Sequence, residues 1–330
     1  MSGLKLNLKE SLQVKHDGKE WLQAKGVSSS GTPFTWQKPL EFLLDTTLGG
    51  ANFSIKITDD EDQATTFTVD WGDGTVTTVT GDTASHTYSS GSYKLKITSP
   101  DPFQVYDDSS TNALAVFEIR GLSAKNLFRF PSVGFSRLTT VPSALPNNIV
   151  SLESAFENCV DFNQDIGSWN TSNVTSMRLM FEQAVEFNQD ISSWDTSNVT
   201  NIVAMFLQAA KFNQDISSWD TSSVTDMSST FALADEFNQD LSSWDITNVT
   251  DMDGMFSSSN LSTENYSRIL IGWANSHYAG NAQDNVPLGA SGINYNDTAY
   301  TTGNQFNDAV SARAYLVGTA GWTITDSGEV

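Results

Sequence analysis

The sequence predicts a mixed α/β repeat protein: an N-terminal hairpin, a segment of strands and turns, then a stack of coils closed by a helical C-terminal cap. Three observations predict it. A 25-residue unit recurs four times without a gap over 162–256, beginning FNQDIGSWNTSNVTSMRLMFEQAVE and FNQDISSWDTSNVTNIVAMFLQAAK; these two copies share 16 of 25 residues. A fixed period of this size marks a stack of supersecondary units, each burying its apolar face on its neighbours. Upstream, residues 39–105 read as strands between turns, and downstream, 257–330 lose the period and carry helical stripes.

Taken in order, residues 1–38 stand apart. They carry a net +3, so the other 292 residues carry −25 of the total −22. Asp17 and Gly18 are a two-residue hairpin signal, with Val14 facing Trp21 and Lys15 facing Glu20 across it. A second short piece follows at Pro33 and Phe34. A lone hairpin is marginal in water, so the segment reads either as an attachment module or as a floppy leader.

In 39–105, Phe53, Ile55 and Ile57 alternate with polar residues at period 2, as do Tyr93, Leu95 and Ile97 with Lys94 and Lys96 outward. The order WGDGT, HTY, GSYKLKI places Trp71, Asp73, Gly74, His86 and Tyr88 in one pattern, with Asp73 and Gly74 at the tight turn. The acidic run at 59–62 reads as a solvated turn, with Ca²⁺ as the alternative; it lacks the spaced ligands of a calcium loop. Residues 106–161 read as degenerate lead-in coils, with 113–119 expected as a strand covering the open end of the stack. Residues 149–156 match one half of the repeat.

Within the second repeat, Val199, Ile202, Phe206 and Ala209 fall on one helical stripe with Asn198 as its cap, and 187–194 suggests a short strand. One strand and one or two helical turns per coil are therefore expected. Stacking aligns Phe162, Phe187, Phe212 and Phe237 in a column, and Trp169, Trp194, Trp219 and Trp244 in another. These columns read as core, with an aromatic sugar platform as the alternative for the tryptophans. Asp165, Asp190, Asp215 and Asp240 form a column of like charges. It requires hydrogen bonds to backbone amides or bound cations as compensation. The Asn-Val-Thr triplets mimic glycosylation sites, and capping explains them equally well. The pairs 178–179, 203–204, 228–229 and 253–254 change character while the frame stays constant, and recognition belongs at such positions.

In 257–330, Tyr266, Ile269, Leu270 and Trp273 make a helix opened by Ser262 or Thr263. Residues 278–304 read as a loop, 306–317 as a second helix and 322–324 as a last strand.

Composition excludes several classes. A charge of −22 argues against nucleic-acid binding. No run of 18 apolar residues predicts a membrane span. Cys159, the single cysteine, is expected as a small core residue. The start MSGLKLNLKESLQVK has no apolar core of a secretory signal. There is no phosphate loop, nucleophile elbow or H-E-x-x-H motif. No enzyme activity and no cofactor are expected.

The FNQDISSWDTSNVT units resemble the BspA-like leucine-rich-repeat surface proteins. That resemblance implies a right-handed solenoid with adhesive or unassigned roles. The Trp71–Tyr88 pattern resembles a PKD domain, which implies an immunoglobulin-like sandwich. The sequence VKHDGKEWLQAKGV resembles elements of phage tail and fibre proteins. The expected function is accordingly a virion structural or adhesion protein at the virion surface. It would dock through 1–38 to other virion proteins or to itself, and contact a host surface protein or glycan. The alternative is a bacterial cell-surface adhesin.

Overall fold

A computed structural model describes residues 26–27, 33–34, 40–45, 52–58, 64–99, 104–107, 116–120, 138–300 and 303–330. The chain divides into two compact units, Met1–Lys38 and Pro39–Val330. In the first, β1 (Gly26–Val27) pairs antiparallel with β2 (Pro33–Phe34). The expected hairpin at Asp17 and Gly18 lies outside the described residues, as does the acidic run at 59–62.

The second unit begins with two antiparallel sheets. β3 (Leu40–Asp45), β4 (Asn52–Thr58), β5 (Thr65–Asp70), β6 (Val76–Gly81), β7 (Thr83–Thr87), β8 (Ser92–Thr98), β9 (Gln104–Asp107) and β10 (Val116–Arg120) build them. One sheet has the order β10-β3-β8-β5-β6, the other β7-β4-β9. The period-2 pattern explains the faces: Phe53, Ile55 and Ile57 are buried, as are Leu95 and Ile97. Lys94 instead pairs with Glu41 at 2.6 Å on the neighbouring strand β3. β10 corrects one expectation. The strand at 116–120 pairs with β3 and forms the edge of the five-stranded sheet, so its backbone belongs to that sheet. Strand pairing therefore continues to Arg120, past residue 105.

From 149 onward the chain makes successive 25-residue coils. They contain neither the expected strand nor the expected helix. In the half that reads as helical, alternate amides go to different places. Leu179, Phe181 and Gln183 N–H donate to Val203, Met205 and Leu207 C=O of the next coil at 2.8–2.9 Å. Met180, Glu182 and Ala184 N–H instead close turns on the residue three before, at 3.0–3.2 Å. An α-helix would keep all of them for its own carbonyls. Each coil instead shares half of these amides with its neighbour. The chain bends at left-handed residues four apart: Leu179 and Gln183 (φ 57° and 55°), Ala204 and Gln208 (53° and 59°), Ser229 and Leu233 (56° and 57°). The parallel bridge also falls elsewhere than expected. It runs Ser151, Ser176, Asn201, Asp226, Asp251, not through 187–191.

The core of the stack is the aromatic columns. Phe162, Phe187, Phe212 and Phe237 follow one another at 6.0–6.2 Å between ring centroids. Phe156, Phe181, Phe206, Phe231 and Phe256 do so at 5.4–5.9 Å. Each such ring contributes about 1.5–3 kcal/mol by burial.

The cap begins with α1 (Thr263–Tyr278), where Ser262 accepts from Asn265 N–H as the N-cap. β11 (Pro287–Gly289), β12 (Asn294–Tyr295), α2 (Ala309–Gly318), β13 (Thr323–Thr325) and β14 (Gly328–Glu329) complete it. Residues 278–304 are therefore not all loop. β11 serves as the next rung of the stack: Met252 N–H donates to Pro287 O and Phe256 N–H to Gly289 O. β11 pairs parallel with β13, and β12 with β14. Gly289 is required here, since a Cβ would lie 2.0 Å from Gly254 N. The fold is thus mixed, with antiparallel sheets, stacked coils and two helices.

Candidate functional site

Each coil sorts its residues into columns, and the columns have different jobs. The tryptophans are inside. Trp169, Trp194, Trp219 and Trp244 are at most 5% exposed. The last three stack at 6.4 Å. Their indole N–H groups donate to Pro142, Ile166, Ile191 and Ile216 O in the preceding coil. No ring face is open to a ligand, so the sugar platform at this column is excluded.

Asp165, Asp190, Asp215 and Asp240 each accept the amide of the residue two further on, at 2.9 Å. Hydrogen bonds from Ser192 and Ser217, through side chain and amide, hold Asp190 and Asp215 below the usual carboxylate range. For Asp215 they outweigh the repulsion from Asp190. The like-charge column is therefore compensated within its own turns. Among the described residues no cluster of three or more His, Cys, Asp or Glu could hold a metal ion.

Asn and Gln form a second ladder. Asn188, Asn213 and Asn238 N–H donate to the side-chain oxygen of the preceding Asn at 2.9–3.0 Å, and the adjacent Gln amides join the same oxygens. The Asn of the Asn-Val-Thr triplets does not cap a helix. Asn173, Asn198 and Asn248 donate their amide N–H to Asn147, Ser172 and Ser222 O of the coil before. The nitrogen a glycan would need is already engaged.

The variable pairs fall at one bend. The second member of each, Leu179, Ala204, Ser229 or Gly254, is left-handed. The first, Arg178, Val203, Ser228 or Asp253, is partly or fully exposed. Arg178 reaches back to Glu153 at 3.2 Å. This row changes from basic to apolar to hydroxyl to acidic on a fixed backbone.

In the sheet region the five motif residues meet. Trp71 is buried and stacks on His86 at 5.0 Å. His86 Nε2 lies 2.7 Å from Asp73 Oδ2. Tyr88 OH donates to Trp71 O at 2.9 Å. Asp73 accepts from both the hydroxyl and the amide of Thr75. Those bonds and His86 hold its carboxyl down to about 2. Gly74 turns the chain at φ 96°. These bonds tie the group together as a brace for the turn between β5 and β6.

Cys159 is buried, and its surroundings push the thiol well above its ordinary value. His277, which shows no metal-ligand spacing in the sequence, lies 2.9 Å from Asp284, seven residues on, and 3.0 Å from Tyr315 OH on α2.

A family model described as "Mycoplasma protein of unknown function, DUF285" matches residues 150–269. The match spans the repeats and the first part of α1. No curated protein matches the chain, and no solved structure does.

Proposed function

We propose that the chain is a non-enzymatic, surface-displayed binding protein of BspA-like type. In this reading the two antiparallel sheets are a PKD-like sandwich acting as a spacer. The stacked coils are a right-handed solenoid of leucine-rich-repeat type, and its outward row contacts a host surface protein or glycan. No metal or cofactor enters the activity. The observation that carries the reading is the contrast between columns. Inward and ladder positions keep their residue type from coil to coil, while the row at 178, 203, 228 and 253 changes chemistry at every step. A frame of this kind suits display, because altering the outward row leaves the core untouched. The likeness of residues 150–269 to the family model adds support for the BspA-like class over a virion protein. The virion reading draws on the motif at 14–27, which that match does not reach.

The test is direct. Antibody to the purified chain is applied to intact and to lysed cells of the source, and the purified chain is applied to candidate host cells. Labelling of intact cells, with saturable host-cell binding, is expected. Signal confined to lysed cells, or appearing in purified phage particles, overturns the surface reading.

A further inference from the structure

Where the last coil meets α1 there is an open cleft of about 440 Å³, lined by Ser242, Ser243, Trp244, Asp245, Ser276 and Asn281. Its origin lies in the repeat. Within the stack, the Ser-Ser-Trp-Asp corner of one coil is covered by the same corner of the next: Thr196 Oγ1 donates to Asp220 O, and Ser218 Oγ to Ser192 O. After Trp244 the next element is a helix, which approaches the corner closely where Gly272 meets Ser242 O. The rest stays open.

Asp245 departs from its counterparts at this place. The carboxylates of Asp195 and Asp220 accept both the amide and the hydroxyl of the serine two residues on. In the last coil a threonine replaces that serine. Thr247 still gives its amide to Asp245 at 2.8 Å, but turns its hydroxyl to Asn281 O at 3.1 Å. Gln283 Nε2 holds the same loop by donating to Thr247 O at 2.7 Å. Asp245, which is exposed, therefore accepts one internal hydrogen bond fewer than Asp195 and Asp220 and has that lone pair to offer. Ser243 Oγ donates to Ser217 O and Ser276 Oγ to Asn281 O, so these hydroxyls have lone pairs to offer, and with the Asp245 carboxylate they suit a ligand rich in hydroxyl donors. They do not suit an apolar one.

We propose that this cleft binds a neutral saccharide, and that Asp245 accepts hydroxyl donors from the sugar. The proposal rests on the surface-binding reading above and gives it a place. It also sets the charge of the sugar. Residues 150–257 hold 17 carboxylates against Arg178 and Lys211, a field that disfavours sialylated or sulfated glycans.

The experiment uses the full chain on a printed array of neutral hexose and N-acetylhexosamine oligosaccharides beside their sialylated and sulfated counterparts. Calorimetry on the strongest neutral binder follows. Neutral glycans are expected to bind. Asp245→Asn and Ser242→Ala are each expected to weaken binding tenfold or more with unchanged melting temperature. Asp220→Asn, one coil back, is expected to leave affinity unchanged. A silent array, preference for anionic glycans, or equal loss from Asp220→Asn overturns the cleft assignment. Loss on Tyr278→Ala alone, a substitution in the exposed aromatic group at the end of α1, overturns it as well. If the chain holds to host cells while the array is silent, the cleft assignment fails and the surface reading stands. If it holds to neither, both fail.

Discussion

Thr171, Thr196 and Thr221 each bury a hydroxyl and donate it at 2.9 Å to a backbone carbonyl of the next coil. The fourth repeat has Ile246 at this position, buried to 1% exposure. The reason is local. The element after the fourth coil is α1, whose carbonyls are taken within the helix, so a hydroxyl at 246 would have no acceptor. Reciprocal substitutions should then both destabilise. Thr196→Val leaves Asp220 O without its donor, and Ile246→Thr buries a hydroxyl without a partner. Each should cost about 1–3 kcal/mol in chemical denaturation. If Ile246→Thr is neutral, the following element supplies an acceptor after all. Asp73 gives a second expectation at this scale. Its pKa in the fold, about 2, lies below the unfolded value of about 3.9. A depressed carboxyl stabilises the fold above the unfolded pKa, and that contribution disappears as pH falls from about 4 through about 2. Asp73→Asn should therefore flatten the acid limb of the stability profile in that window. An unchanged acid limb would mean the Asp73 bonds with Thr75 and His86 are absent in solution.

At the scale of the element, the cap is a modified repeat. Ser262 N–H and the Asn265 amide bind Asn238 as the next Asn and Gln would, at 2.9–3.0 Å. Trp273 stacks on Phe256 at 6.3 Å and extends its column. β11 takes the next rung of the ladder and β13 the one after. There the propagation stops, because Arg313 donates to Ile324 O and binds Asp326 through two nitrogens. A guanidinium at the last rung hinders addition of a further strand, the usual hazard of an unpaired edge. Two close approaches hold the cap in register, Gly272 against Ser242 O and Gly289 against Gly254 N. Gly289→Ala would place a Cβ 2.0 Å from Gly254 N. Overpacking of this kind costs about 1–3 kcal/mol. The variant should show early loss of amide-exchange protection in 286–325, with the earlier coils spared. Uniform protection would show that β11 does not serve as a rung.

At the scale of the whole molecule, the stack is a sum of near-identical units and interfaces. That is also why so much of it was legible. A strict 25-residue period states which residues recur at one place, so the phenylalanine and tryptophan columns could be read directly. The N-cap at Ser262 and the buried face of α1 followed from ordinary helix signals. What the sequence hid was the path of the backbone between columns. Val199, Ile202, Phe206 and Ala209 fit a helical stripe, yet the same spacing arises when turns bend the chain at Ala204 and Gln208. Periodicity records which side chains face inward, not where the amides go. The pairing of β10 was hidden for a related reason: the apolar run from Ala113 to Phe117 predicts a strand without saying which strand it pairs with. The cleft at Asp245 was illegible because it depends on Thr247 turning toward Asn281, a residue 34 positions away.

The central claim is that each 25-residue unit is an interchangeable coil held by its two neighbours. Excising residues 187–211 from the full chain joins Glu186 to Phe212 in the same register as before. Excising 187–198 breaks that register. Guanidinium unfolding followed by tryptophan fluorescence compares the two with the parent. The account predicts that the 25-residue deletion unfolds cooperatively with buried tryptophans and only modestly reduced stability, while the 12-residue deletion does not fold. Cooperative folding of both, or of neither, would contradict it.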